Sequence, residues 1–185
     1  MAEYYLISQL PSLDGLSENV PMPITEERFF ELCERFLNKK AQNELKQLTL
    51  MPSRECEGTG SQFLDKWNDG ERNLRLVLGK IRAEKMNKAF DAEKIQSAPV
   101  ELLQAAREAV EIENPLEAEK FLNKYRLEFL ESLRPMDSFS EDFVFYYGLK
   151  LKLISRIKLF DAESGETAYK NIYSSIMSGD RLEVI

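Results

Sequence analysis

The feature that most constrains this chain is a recurrence of apolar side chains every 3.6 residues, repeated from one segment to the next. Between Thr25 and Leu48, the residues Phe29, Cys33, Phe36, Leu37, Ala41, Leu45 and Leu48 share one helical face. Between 62 and 90 the stripe is Phe63, Trp67, Leu74, Leu78 and Ile81, with Val77 beside it. Ala118, Phe121, Leu122, Tyr125, Phe129 and Leu133 form a third. Phe143, Tyr146, Leu149, Leu153, Ile157 and Phe160 form a fourth. A strand alternates every two residues and cannot carry such faces. The spacing predicts an all-α fold of about six helices in a bundle-like arrangement. At most one short N-terminal strand is expected, at residues 3–10, where the apolar run is too short to choose between strand and helix.

Punctuation places the helix ends. Thr25 reads as an N-cap, with Glu26 and Glu27 in the first turn, where the helix dipole favours negative charge. Residues 11–24 and 51–61 are rich in proline and glycine and read as loops. Pro99 opens a helix to about Ile112. Asn114-Pro115-Leu116-Glu117 is a strong restart, with a capping asparagine, proline in first position and a glutamate able to reach back. Pro135 stops that helix, and Ser138 with Glu141 starts the next, to about Phe160. Within it LKLKL (149–153) alternates as a strand would, but the longer period flanks it on both sides. A last helix is expected over 166–178, ended by Gly179. Gly70 and Gly79 interrupt the helix of 62–90. Gly70 lies near its apolar side, where a missing side chain would admit another helix. One domain, 1–185, is expected, with a candidate subdivision near 91–99.

Composition narrows the chemistry. The chain has no histidine among its 185 residues. Ser-His-Asp and Cys-His nucleophilic catalysis are excluded, as are the usual zinc and non-haem iron sites. Its two cysteines, Cys33 and Cys56, are too far apart for a metal-ligand motif and read as reduced thiols. Cys33 sits on an apolar face, as a core residue would. A net charge of −7 argues against nucleic acid. No run of about 18 apolar residues exists, so no membrane insertion is expected. The N-terminus, MAEYYLISQLPSL, lacks the basic region of a signal peptide. The expectation is a soluble cytoplasmic protein without cofactor or metal, and not an enzyme.

Four local features compete for a functional role. GTGS (58–61) has the glycines of a phosphate loop, but neither its Lys-Ser/Thr pair nor a preceding strand, and reads as a connector. Glu71 lies in the apolar stripe between Trp67, Leu74 and Leu78, with Arg75 four residues on. Such a carboxylate is either a raised-pKa acid or half of a structural ion pair, and the ion pair is expected. Lys150, Lys152, Arg156 and Lys158 give residues 146–160 a charge of +4. They are either snorkelling side chains or a docking face for an acidic partner. Tyr147, with Phe143 and Tyr146, belongs to an aromatic group that is core by default, or partly exposed as an interface. The candidate partner-binding residues are therefore Lys152, Arg156, Lys158 and Tyr147.

Five stretches in this order carry a resemblance: YYLISQLPSL, PITEERFFELCERFL, FLDKWNDGERNLRLVLGKIRAEK, ENPLEAEKFLNKYRLEFLESL and GLKLKLISRIKLFDAESGETAYKNI. Together they resemble a bacterial family of unknown function whose genes sit among those of V-type ATPase subunits. The resemblance implies an accessory or central-stalk role, at the position called C in archaeal complexes and d in eukaryotic ones. That component is an all-helical socket on the membrane rotor ring. The partners implied are other V-type ATPase subunits, reached from the cytoplasmic side of the inner membrane. The chain is shorter than the archaeal socket, so an assembly factor is the first alternative. A histidine-free helical enzyme acting on a small anion is the second. The resemblance brings no catalytic residues with it.

Overall fold

The computed structural model describes residues 2–16, 20–54, 58–90, 98–159, 169–170 and 172–174. The described residues are all-helical, with no strand among them. Seven helices follow in order: α1 (Ala2–Gln9), α2 (Glu26–Phe36), α3 (Lys39–Lys46), α4 (Gln62–Lys85), α5 (Val100–Glu111), α6 (Pro115–Ser132) and α7 (Glu141–Leu159). Helical backbone also occurs at 169–170 and 172–174. Most of the helix expected over 166–178, together with Gly179, Phe160 and Cys56, lies outside the described residues. So does most of the candidate subdivision near 91–99.

The helix count exceeds expectation for two reasons. Residues 3–10 form a helix, α1, and not a strand. The long helix expected from Thr25 to Leu48 breaks at Leu37, whose backbone is extended (φ −83°, ψ 150°). Asn38 then caps α3 by accepting from the Ala41 amide at 2.9 Å. Gln42 donates its side-chain amide to the carbonyls of Glu34 and Leu37, which the end of α2 leaves without helical partners. The stripe survives the break: Phe29, Cys33, Leu37, Ala41, Leu45 and Leu48 are all buried.

The connector GTGS is a helix start. Ser61 accepts from the Leu64 amide at 3.3 Å, and Thr59 donates both its amide and its hydroxyl to Asp65. Ser61 also donates to Asp142, which ties the start of α4 to the start of α7. α4 stops at Lys85, short of the expected Phe90, because Asn87 adopts the left-handed conformation (φ 52°) and the Lys88 amide returns to the Ala83 carbonyl. Asn114 caps α6 as expected, accepting from Leu116. At α7 the cap is Ser140, accepting from Phe143, and not Ser138; Asp137 accepts from the Phe139 amide in the turn before it.

α7 departs most from the amphipathic expectation. Every residue from Val144 to Leu151 is buried, and Leu153 with them. Over 144–151 the helix is buried around its whole circumference, because α2, α4 and α6 all pack on it. Gly148 permits one of those approaches: a Cβ there would press on Phe29 and Leu48. The strand-like alternation of LKLKL belongs to a helix with no outside face.

The apolar interior falls into two clusters. The larger joins α1, α2, α3, the first half of α4, the end of α6 and α7, around Leu6, Phe29, Trp67, Leu130 and Phe145. The smaller joins the second half of α4, α5 and the first half of α6, around Leu74, Val77, Leu102, Ala106 and Leu122. α4 and α6 thus belong to both.

Gly70 faces the Phe129 ring, and a Cβ there would collide with it. That ring also stacks on Trp67, with centroids 6.0 Å apart. Gly70→Ala is expected to lower stability by about 1–2 kcal/mol net, since steric overpacking exceeds the gain of about 1 kcal/mol in helix propensity. In a Phe129→Ala background the same change should become neutral or stabilising. Urea denaturation of the four proteins checks this, and equal destabilisation in both backgrounds would contradict the close approach.

Candidate functional site

The seam between the two apolar clusters is ionic. Glu71 on α4 is buried, with its side chain 2% exposed, between Trp67 of the larger cluster and Leu74 of the smaller. Arg75, one turn on, donates to it at 2.9 Å and to the Leu50 carbonyl at 2.8 Å. Arg126 on α6, 8% exposed, meets the same carboxylate with two donors, at 3.0 and 3.2 Å. Arg126 also donates to Asn123 and Glu119, and Glu119 accepts from Arg156 of α7 at 2.7 Å. The pair expected at Glu71 and Arg75 is therefore the near end of a network that crosses three helices. Arg126 and Asn123 are not legible as members in the sequence. They sit in a helix whose apolar residues account for a whole inward face, and the carboxylate that Arg126 meets lies on α4, 55 residues away.

The four cations of α7 all have partners in the fold. Lys152 reaches Glu26 at 2.7 Å and lies 5.4 Å from the Phe30 ring centroid. Arg156 reaches Glu119, and Lys158 donates to the Val20 carbonyl. Lys150 is buried and donates to Asp14 at 2.5 Å, to Glu131 at 2.6 Å and to the Tyr146 hydroxyl at 3.3 Å. Lys152, Arg156 and Lys158 are only partly exposed. The basic stripe is largely internal stitching, and reversing its charges would break contacts within the chain.

Tyr147 departs from its candidate place on an exposed aromatic face. It is buried against Phe29, with centroids 5.5 Å apart, and its hydroxyl donates to the Pro11 carbonyl at 2.8 Å. Tyr146 is also buried. The physical reason is the all-round burial of α7, which leaves it no aromatic side for solvent.

Aromatic exposure occurs elsewhere. Tyr4 and Tyr5 on α1 are 55% and 60% exposed, and Phe139, in the turn before α7, is 50% exposed. Tyr4 lies 5.1 Å from Phe139 and 6.0 Å from Tyr5, centroid to centroid. Met136, in the same turn, is fully exposed. Tyr4, Tyr5 and Phe139 make an aromatic surface, with Met136 exposed three residues from Phe139 in the chain, and these are residue types that anchor protein interfaces. Their exposure is hidden in the sequence, where Tyr4 and Tyr5 stand in a short apolar run and Phe139 stands beside core aromatics.

A second feature is an open groove of about 480 Å³ where the ends of α4 and α5 meet the start of α6. Its floor is apolar, with Ala109, Val110, Ala118 and Leu122. Arg82, Lys85, Glu113 and Glu119 also line it. Lys85 donates to the Val110 carbonyl, and Glu119 is held by two arginines.

Several groups are shifted from their ordinary values. Burial pushes the Cys33 thiol up to about 12. Burial, aided by Glu131, raises Tyr146 to about 12, and burial raises Tyr147 further. Burial alone would lower Lys150, but its bonds to Asp14, Glu131 and Tyr146 outweigh that and hold the ammonium above the usual lysine range. The Lys150 hydrogen bond lowers Asp14. For Glu131 burial acts upward, and the bonds from Lys150 and Tyr146 bring the net shift down. Each of these shifts moves a group away from neutral pH, opposite to the tuning a general acid or base needs. Among the described residues no cluster of Cys, Asp and Glu could hold a metal ion, and no helix is long and apolar enough to cross a membrane.

A family model described as "Protein of unknown function (DUF2764)" matches residues 97–180, somewhat less than half of the chain. The match takes in α5, α6 and α7. No curated protein and no solved structure matches the chain.

Two expectations follow. Glu71→Ala strands Arg126 in the interior, and should cost about 3 kcal/mol by chemical denaturation, the lower end for a broken buried pair because Glu119 still faces it. A loss under about 1 kcal/mol would show the seam to be solvated. The second concerns acid. Asp14 and Glu131 have lowered values in the fold, so their contribution is full above their ordinary values of 3.8 and 4.5 and is lost as pH falls through the folded values. Lys150→Met removes their shared cation and should destabilise most at neutral pH. The gap to wild type should narrow as pH falls below 4.5 and on through the lowered folded values of the two carboxyls. Thermal melts across that range read the gap directly, and a constant gap would deny the linkage.

Proposed function

We propose that this chain is a non-catalytic accessory or central-stalk component of a bacterial V-type ATPase, at a C/d-like position. It binds other subunits of that assembly through the surface formed by Tyr4, Tyr5, Met136 and Phe139. The observation that carries the reading is that patch. Half-exposed tyrosines and a phenylalanine, with a fully exposed methionine, are costly on a lone protein and typical of interface centres. The V-type ATPase assignment rests on the sequence resemblance in five ordered stretches.

The small-anion enzyme has one feature in its favour, the groove with Arg82 and Lys85 in its lining. That groove is open to solvent, and Glu113 and Glu119 line it together with its cations. A pocket for a small anion needs converging positive charge and enclosure. The interface reading is therefore preferred. An assembly factor would use the same surface, for a shorter time.

Affinity purification of the tagged protein from its host, with mass spectrometry, tests the proposal. V-type ATPase subunits should be recovered in near-stoichiometric amounts, and a Tyr4→Ser/Phe139→Ser variant should recover far less. Substoichiometric recovery confined to growing cells would favour an assembly factor. Recovery of no ATPase subunit would overturn the assignment to that complex.

A further inference from the structure

Resting on the reading of this chain as an interaction protein, we propose that the Tyr4–Tyr5–Met136–Phe139 surface receives a basic amphipathic segment of another protein. The partner's apolar side chains would cover the aromatics, and its lysines or arginines would meet carboxylates at the rim. The shape of the charge around the patch argues for this occupant. Glu131, Arg134, Met136, Asp137 and Phe139 lie within nine residues of chain. Asp137 is exposed in the same turn as Met136 and Phe139, with one carboxylate oxygen engaged by the Phe139 amide. Lys150 links that stretch to Asp14, because it bonds both Asp14 and Glu131.

The ammonium of Lys150 is buried, whereas the side chains it holds are 65% exposed at Asp14 and 40% at Glu131. Solvent therefore meets the acids of this cluster and not its cation. Asp14, Glu131 and Asp137 stand against Lys150 and Arg134, three carboxylates to two cations, which leaves the cluster net negative. Arg134 is the one cation of this stretch that reaches solvent. Its guanidinium lies over the Phe143 and Tyr146 rings, 5.8 and 5.7 Å from their centroids, and faces Glu131 at 4.0 Å. The chain as a whole carries −7, and its most basic helix has its cations engaged internally. An acidic-rimmed aromatic surface attracts a basic partner and repels an acidic one. Its charges set encounter rate and orientation, and its rings set lifetime.

The test uses the full chain and two fluorescent peptides of about 18 residues, five helical turns each. Both carry leucines on one face; one has lysines on the other, and its twin has glutamates. Fluorescence anisotropy should show the lysine peptide binding with an affinity that falls as salt rises. The glutamate twin should bind at least about tenfold more weakly. Tyr4→Ser/Phe139→Ser should weaken the lysine peptide by about tenfold or more. Asp137→Lys should weaken it several-fold and flatten the salt dependence. If the double variant loses its helical circular dichroism, Tyr5→Ser/Met136→Ser takes its place with the same expected loss. Equal binding of the two peptides, no binding of the lysine peptide, or binding untouched by the patch variants would each overturn the proposal. So would self-association of the wild type that the patch variants abolish, since the occupant would then be a second copy. The peptide assay contains no ATPase component, so its failure is separate from a failure to recover ATPase subunits.

Discussion

The Glu71–Arg126 contact is the interaction on which the arrangement of this protein depends. Two apolar clusters share α4 and α6, and apolar burial alone would not fix how far along α6 each cluster should sit. A buried carboxylate answered by a two-donor guanidinium fixes that register, because any slip would strand a charge in the interior. The contact lies one turn from Trp67 on one side and one turn from Leu74 on the other. On α6, Arg126 likewise stands one turn from Leu122 of the smaller cluster and one turn from Leu130 of the larger. Such a pair adds little net stability over an apolar substitute. Its weight lies in excluding alternatives.

The same logic accounts for α7. α7 is buried on all sides over 144–151, and its second half, partly exposed beyond that stretch, carries four cations. Each is met by a group from another part of the chain: Asp14 and Glu131, Glu26, Glu119, and the Val20 carbonyl. Three of these contacts reach back to the first 26 residues, and the Tyr147 hydroxyl does so too, at Pro11. The N-terminal stretch is thus fastened to the central helix by polar bonds. α1 has only Leu6 fully buried among its described side chains, and little apolar area with which to hold itself in place.

The helical character and most helix starts are legible in the sequence because caps and periodicity are local signals. Thr25 and Asn114 act where the sequence places them. Asn38 is hidden because the apolar stripe runs straight through it, and periodicity cannot see a break that preserves phase. Ser140 displaces Ser138 because Asp137 organises the turn between them. At the candidate site, Glu71 and Arg75 are legible as an i, i+4 pair, but Arg126 lies 55 residues from Glu71 and no spacing rule connects them. The cations of α7 mislead for the complementary reason. Charge on a helix is ordinarily a sign of solvent, and the neutralising partners are spread over more than a hundred residues of sequence.

This redistribution of charge changes where a partner can bind. When the basic helix is taken as surface, the natural partner is acidic and the aromatic face lies on α7. Once those cations are engaged within the chain and Tyr147 is buried, the apolar surface moves to α1 and the turn before α7, and its rim is acidic. The sign of the expected partner reverses with it. The aromatics of this surface sit on α1 and on the turn that opens α7, where Tyr4 meets Phe139, and the loop after α1 is fastened to α7 by the Tyr147–Pro11 and Lys150–Asp14 contacts. A patch assembled from two segments and held by buried polar bonds is ordered before a partner arrives. It loses less conformational entropy on binding than a loop that must first find its shape.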